Sequence, residues 1–425
     1  MASAGQRLSS VLGHLNPSSS ESSGKAKLLQ KNADDIVITY AGRTPLTKAK
    51  KGGLKDTQID DLLISLLTSV RENMNIDPSL IEDVCLGNVL APSPGYVARS
   101  SILAAGFPAS SAASVANRFC SSGLLAIQNI SNQITAGAIE VGLAVGAESM
   151  STCPDNGAPP ASAKVISHAL ASQNQQPMGQ TSENVAGDFN ISRVAMDEFA
   201  ARSFQRAEKA QKEGWTRDEI VPVEVSFTDP KTGVTTQRII NADDGIRAGT
   251  TAESLGKIRV AFPQWKPSQT TGGNASQITD GAAAVVLMKR SKAAELGVKV
   301  LGKFVQATVV GLEPRIMGIG PALAIPKVLG KVGLHRDDVD VFEINEAFAS
   351  MGVYCINKLG LDPEKVNPRG GAIALGHPLG CTGTRQVVTA LSELRRQDKR
   401  IAVTSMCVGT VIQGQGMAAV FVSEH

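Results

Sequence analysis

The sequence predicts an α/β protein made of two similar halves, and three observations carry that prediction. From Asp34 onward short β-rich runs alternate with stretches of helical period, as expected for strands and helices layered around a sheet. The same order of elements recurs late in the chain, so one half reads as a duplicate of the other. Aromatic residues make up only 4% of the chain while glycine fills 41 of 425 positions. That balance favours a core of Ala, Val, Ile and Leu with many tight turns over an aromatic-rich β-sandwich.

The first segment, residues 1–33, reads as a leader and linker. Residues 6–15 are QRLSSVLGHL, and residues 16–24 are Ser-rich with one Pro, the composition of a flexible connection. In a helix Leu8, Val11, Leu12 and Leu15 share one face. Arg7, Leu8, His14 and Leu15 resemble the type-2 peroxisomal targeting signal, which implies a peroxisomal matrix location and an import receptor as partner. A mitochondrial presequence or an unstructured start are the other readings. One Arg in the first twenty residues is poor for a presequence. The C-terminal Ser423-Glu424-His425 is not an SKL-type address.

The N-terminal half spans residues 34–290. Residues 36–40 (IVITY) read as a strand, Ile59, Leu62, Leu63 and Leu66 recur at helical spacing, and residues 84–89 and 140–146 are strand-like. The C-terminal half, residues 297–425, repeats the order: EDVCLGN at 82–88 is echoed by DVFEIN at 340–345, and residues 139–150 by 400–409. Asn117-Arg118 and Asn367-Pro368-Arg369 open corresponding glycine-containing turns. Between Ser151 and about Asn274 the texture changes to Pro, Gln and Asn clusters with one long helical stretch, an inserted loop subdomain rather than a third copy.

Composition excludes several classes. A net charge of +3 without basic clusters interleaved with aromatics argues against nucleic acid. The longest apolar runs, such as residues 282–288, are too short to span a membrane. Six cysteines, at 85, 120, 153, 355, 381 and 407, contain no CxxC pair, which disfavours zinc, a thioredoxin-like pair and a disulfide scaffold. Reduced thiols inside a cell are expected, and the question is which of them is reactive.

Histidine is scarce enough to sort by position. Of five, His14 lies in the leader, His425 is terminal and His335 sits in a polar turn, while His168 is open to packing or ligand contact. His377 lies in the apolar, glycine-rich GGAIALGHPLGCTG turn, where its orientation is fixed and its pKa tunable. It reads equally as a catalytic group or a satisfied core histidine. Cys120 falls between the strand-like SVANRF and a helix whose buried face is Leu124, Ile127, Ile130 and Ile134. A helix N-terminus favours a thiolate and can serve an oxyanion; a small inert cysteine in a tight junction is the other reading. Cys407 ends a strand before a glycine turn, Cys381 follows His377 by four positions, and Cys85 and Cys355 read as core. Asn345-Glu346 lies at the carboxyl end of a strand, where open α/β sheets place ligands.

Four motifs together resemble the degradative thiolase family: NRFCSSG around Cys120, NEAFA from Asn345, GGAIALGHPLGCTG from Gly370 and SMCVGT from Ser405. The likeness runs from about Ile36 to the end of the chain and includes MGQTSENVA at Met178, NASQITDGAA at Asn274 and GIGPALAIP at Gly318. It implies two βαβαβαββ halves in a five-layer α/β/α/β/α sandwich with a loop subdomain inserted in the first. It also implies thiolytic cleavage of 3-ketoacyl-CoA by CoA to acetyl-CoA and a shortened acyl-CoA, as in fatty-acid β-oxidation. Cys120 would carry the acyl group as a thioester, His377 would activate it, and Cys407 would move a proton at C2. Asn345 would hold a water that forms one oxyanion hole with His377, and the N–H groups of Cys120 and Gly409 would form the other. Ser276 looks like a contact for the pantetheine arm of CoA. No metal or redox cofactor is implied, CoA being a substrate, and a homodimer is.

That chemistry explains the residue types. Thiolysis expels the carbanion of a thioester, a poor leaving group unless its enolate oxygen meets preset donors, each worth roughly 3–4 kcal/mol. One cysteine divides the reaction into two acyl transfers, and a second supplies an acid and base near working pH. The chain departs from the family at one place. Where the family runs CIGTGMGAAAVF, Thr410 is here followed by VIQGQGMAAVF, which the simplest alignment reads as an insertion of Val411-Ile412-Gln413. The expectation is that the turn bulges outward and leaves the site usable. A biosynthetic acetoacetyl-CoA thiolase and a non-catalytic CoA- or lipid-binding relative are the alternative functions. Chain-length dependence tests the first and a low-pKa cysteine the second.

Overall fold

The protein is described here by a computed structural model covering residues 24–409 and 412–425, without the side chains of Ile412 and Gln413. Arg7, Leu8, His14 and Leu15 therefore lie outside the described residues.

The first half runs β1 (Ile36–Arg43), α1 (Ile59–Asn73), β2 (Asp83–Gly87), α2 (Pro94–Ala104), β3 (Ala112–Ala116), α3 (Ser122–Thr135) and β4 (Val141–Ser149). The chain then leaves the sheet for α4 (Met178–Asp188), α5 (Arg193–Lys212) and a hairpin of β5 (Val223–Thr228) and β6 (Thr235–Ile240), and returns as β7 (Thr279–Lys289). The second half runs β8 (Gly302–Gly311), α6 (Gly320–Val332), β9 (Val341–Ile344), α7 (Ala349–Leu359), α8 (Leu379–Arg396), β10 (Ile401–Gly409) and β11 (Ile412–Ser423). The element order repeats, with one reduction. The counterpart of β3 is only a parallel bridge of Phe342 with Val366, followed by the Asn367 amide donating to the Phe342 carbonyl. Pro363 and Pro368 flank that bridge and remove two ladder donors.

The strands form one ten-stranded sheet in the order β9-β10-β11-β8-β1-β7-β4-β2-β3, with a two-residue strand Thr47–Lys48 beside β7. The halves join edge to edge where Ile36, Val37 and Ile38 pair with Phe304, Lys303 and Gly302. Helices α1 and α2 cover the outer face of the first half and α6 that of the second, while α3 and α8 pack on each other between the two. This gives the five layers. Helices α4 and α5 rest on α7.

Both faces of β4 and β7 are buried, which is why their sequences are continuous apolar runs. On β7, Ala282, Ala284, Val286 and Met288 face Leu62, Leu63 and Leu66 of α1, whereas Ala283, Val285 and Leu287 face the central helices. The four strongly predicted apolar positions of α3, Leu124, Ile127, Ile130 and Ile134, are all buried. Burying each such side chain contributes about 1.5–3 kcal/mol.

Helix α8 is buried from Leu379 to Leu394 although it carries Arg385, Gln386 and Glu393. Its charges are paired: Arg385 with Glu343 at 2.8 Å and Glu393 with Arg369 at 2.6 Å. Arg43 on β1 is clasped by Glu219 and Asp243, each at 2.7 Å, and Glu219 also lies 3.5 Å from Arg369. This buried network ties both halves to the excursion between them. Removing any one member would strand a charge out of water.

Candidate active site

Cys120 lies in the turn between β3 and α3. Phe119 takes a left-handed φ of 46°, held because its N–H donates to Asn117 Oδ1 (2.9 Å) and its carbonyl accepts from Ser122 Oγ (2.7 Å). Such a turn costs an L-residue about 1–2 kcal/mol and aims the next side chain inward. Cys120 is 1% exposed, and its Sγ lies 3.4 Å from the Gly409 carbonyl oxygen across the interface of the halves. The sequence led us to expect a helix N-terminus that stabilises the thiolate. The helix N-terminus is there, Cys120 directly preceding the Ser121 cap of a helix that begins at Ser122, but burial outweighs it and pushes the thiol up to about 11. Hydrogen bonding to the backbone at Gly409 and Cys120 pulls the other way without prevailing. The resting residue is a neutral thiol.

His377 is placed by the turn before α8. Its N–H donates to the Gln277 carbonyl (3.0 Å), and Gln277 Nε2 in turn donates to the carbonyls of Gly245 and Ile373, each at 3.0 Å. Its ring is fixed at both nitrogens: Nε2 lies 3.2 Å from Asn345 Nδ2 and Nδ1 lies 2.6 Å from Thr382 Oγ1. Burial, followed by the positive charge of Arg385, lowers the imidazole to about 3. It is neutral at working pH, the form a proton acceptor requires. Asn345 follows β9, and its N–H donates to the Ser405 carbonyl of β10 at 2.9 Å.

Cys407 stands on β10 two residues after Ser405, packed with Met317, Ala347 and Met351. Burial and then the charge of Cys120 raise its thiol well above the ordinary value. Three contacts relate these residues: Cys120 Sγ to the Gly409 carbonyl at one end of β10, the Asn345 N–H to the Ser405 carbonyl two residues before Cys407 on the same strand, and Asn345 Nδ2 to His377 Nε2. Helices α3 and α8, which follow Cys120 and His377, pack on each other. Ser276 is half-buried, its N–H donating to the Ala347 carbonyl at 3.0 Å, and takes no part in these contacts.

Of the extra residues after Thr410, Ile412 and Gln413 fall on β11. Val408 pairs with Gln415 but Gly409 pairs with Ile412, so the register slips by two residues on the β11 side. Gly414 meets the slip with a left-handed φ of 56°, and its carbonyl accepts from the Leu312 N–H at 2.7 Å. Glycine takes that conformation without a Cβ clash, so the pairing of Cys407 with Gly416 is kept.

Several residues of the site were not singled out in the sequence. Glu148 on β4 accepts from Asn88 Nδ2 (3.1 Å), Leu90 N (3.0 Å), Val89 N (3.1 Å) and Gly380 N (2.9 Å), so a carboxylate of the first half holds the start of α8. Glu346, expected near a ligand, is a tie within the protein. It accepts from Ser203 Oγ (2.6 Å), Asn367 Nδ2 (2.8 Å) and Ile373 N (3.2 Å). The detectable signal was a lone Glu in an otherwise apolar strand, as in VGLAVGAES. The duplication also shows divergence: Asn88 and Asn345 end corresponding strands, yet one holds a carboxylate and the other faces an imidazole. His168 and His335 are exposed, and all six cysteines are free. Among the described residues no helix is long and apolar enough to cross a membrane, and no group of three ligating side chains could hold a metal.

A duplicated α/β scaffold with a cysteine and a neutral histidine at the starts of two abutting central helices defines a cysteine-dependent enzyme class. The chain belongs to the thiolase family: residues 36–291 match its family Thiolase, N-terminal domain, and residues 298–423 match Thiolase, C-terminal domain. It is 47% identical over 424 residues to the peroxisomal 3-ketoacyl-CoA thiolase of Homo sapiens, covering 98% of this chain and 99% of that protein. It is likewise 47% identical over 433 residues to that of Saccharomyces cerevisiae, covering 99% and 100%. The crystal structure of the dimeric peroxisomal thiolase of Saccharomyces cerevisiae superposes with a TM-score of 0.85 at 46% identity, covering 94% of this chain and all of that one.

Proposed function

We propose that the chain cleaves 3-ketoacyl-CoA with CoA, releasing acetyl-CoA and an acyl-CoA shortened by two carbons, as a peroxisomal β-oxidation enzyme. The observation that carries the reading is the contact of Asn345 with the His377 imidazole, beside the strand that bears Cys407 and meets Cys120 at Gly409. His377 takes the Cys120 proton as the sulfur attacks the C3 carbonyl. The resulting alkoxide collapses, the C2–C3 bond breaks, and its electron pair leaves as the acetyl-CoA enolate. Cys407 protonates C2, then takes the proton of incoming CoA, whose sulfur displaces Cys120 from the acyl thioester as His377 returns its proton to the departing Cys120 sulfur. Because both resting thiols are neutral, the charge forms only with substrate in place, which suits a site this dry. A low-pKa cysteine is therefore no longer the mark separating this enzyme from a non-catalytic relative. Turnover is.

Ser276 is assigned to the pantetheine arm, and residues 34–290 and 297–425 to the two halves. The names of the relatives support a peroxisomal location and a dimer. The outward edge strand β3, exposed at Ala112 and Ser114, is a fitting surface for a second copy. Arg7, Leu8, His14 and Leu15 are assigned to import. The test of function is CoA-dependent loss of the Mg²⁺–enolate absorbance of 3-ketoacyl-CoAs of several chain lengths, with Cys120→Ala alongside. Loss in the wild type alone, with acetyl-CoA released, supports the reading; silence in both turns it toward a CoA-binding relative.

A further inference from the structure

We infer that Thr382 is a positioning residue that fixes the tautomer of His377, so that Nδ1 carries the proton and Nε2 keeps its lone pair toward the reacting groups. The inference rests on the thiolase reading above for its consequence and on hydrogen-bond geometry for its substance.

The imidazole of His377 is 6% exposed, so its nitrogens are served by protein atoms. A neutral imidazole has one donor and one acceptor nitrogen, and which is which follows from its partners. The Asn345 amide nitrogen, 3.2 Å from Nε2, has only hydrogens to offer. An Nε2–H would meet it donor to donor. With the amide so oriented Nε2 accepts and the proton is placed on Nδ1, which faces Thr382 Oγ1 at 2.6 Å.

A threonine hydroxyl has a single hydrogen, and here it has a destination. Thr382 Oγ1 lies 2.9 Å from the Pro378 carbonyl oxygen, four residues back in the first turn of α8. That is the local bond a helical threonine commonly makes. With its hydrogen on Pro378, Oγ1 has a lone pair free for Nδ1–H. One hydrogen thus serves each link of the chain from Asn345 to His377, to Thr382 and to Pro378. The opposite tautomer would require the hydroxyl to leave Pro378 and the Asn345 amide to turn over. The device places the hydroxyl acceptor of the ring five residues beyond it, on the helix that follows the histidine.

The test combines a direct reading of the tautomer with kinetics. Nitrogen-15 NMR of histidine-labelled wild type, with the His377→Asn spectrum assigning the signal, shows which ring nitrogen bears hydrogen, whether or not the protein turns over. Nδ1–H is expected. Thr382→Val keeps the shape and removes the acceptor; it should lower kcat about 10- to 100-fold or more with KM nearly unchanged. Thr382→Ser keeps the hydroxyl and should restore most of the rate and the wild-type ring signal. Nε2–H in the wild type overturns the inference, as does a folded Thr382→Val with wild-type kcat and ring signal. A wild type that shows Nδ1–H without thiolysis would instead overturn the functional reading and leave the tautomer standing.

Discussion

Gly123, in the first turn of α3, and Gly380, in the first turn of α8, meet backbone to backbone: a methyl group on Gly123 would sit 2.6 Å from the Gly380 carbonyl oxygen. On the same seam a methyl on Gly383 would lie 2.4 Å from the Leu124 amide nitrogen. Cys120 and His377 precede these two turns, so the approach of the helices sets the approach of the reacting groups.

Gly123→Ala should therefore cost about 1–3 kcal/mol of stability and lower turnover in the fraction that folds. Urea unfolding and kcat on the same preparation check this. An unchanged midpoint would mean that the seam yields easily and does not set the geometry.

Cys407→Ala removes the proposed acid and base while leaving Cys120 in place. Turnover should fall by about 10²–10⁴-fold, and exchange of the C2 protons of acetyl-CoA with deuterated water should fall with it. Undiminished exchange would assign the C2 proton to another group.

Acid should weaken the fold partly through His377. Its folded value of about 3 lies below the ordinary 6.5, so the unfolded chain binds more protons than the folded one between them. Stability then rises with pH across that window and is lost as pH falls from about 6.5 toward 3. His377→Asn should show a shallower loss of urea midpoint between pH 6.5 and 4 than the wild type. Parallel curves would place the proton uptake elsewhere.

Deleting Val411, Ile412 and Gln413 restores the family length of the hairpin. Because β11 absorbs the added length in a register slip at Gly414 and keeps Cys407 opposite Gly416, the deletion should not raise kcat beyond about twofold, well under 1 kcal/mol of barrier. A large gain would mean that the insertion impairs the oxyanion hole.

The elements of the fold were legible because their periods are strong. The strand at residues 36–40 and the Leu124, Ile127, Ile130 and Ile134 face of α3 both appear as read. Boundaries were less so. The second-half counterpart of β3 shrank to one bridge at Val366, where two prolines take away donors. Cys120 and His377 stood out by local sequence alone, each with an inert alternative; only resemblance gave them roles.

The thiol state was not legible in the sequence because a helix N-terminus is a local signal and burial is not. Dipole and N–H groups are visible in six residues, whereas desolvation comes from Met150, Leu379 and Ala49, brought around Cys120 from distant parts of the chain. Glu148 was passed over, and Glu346 was read as facing a ligand, for the same reason. Their partners Gly380 and Ser203 lie more than a hundred residues away in the chain.

The sequence by itself determined the duplication, the strand and helix periods and the set of residues able to do chemistry, since these are written in spacing and residue type. The tertiary structure decided which of them meet, which are neutral and which way each hydrogen bond runs. Proton affinity and hydrogen-bond direction depend on what surrounds a group in space, and in a buried site that surrounding is assembled from both halves of the chain.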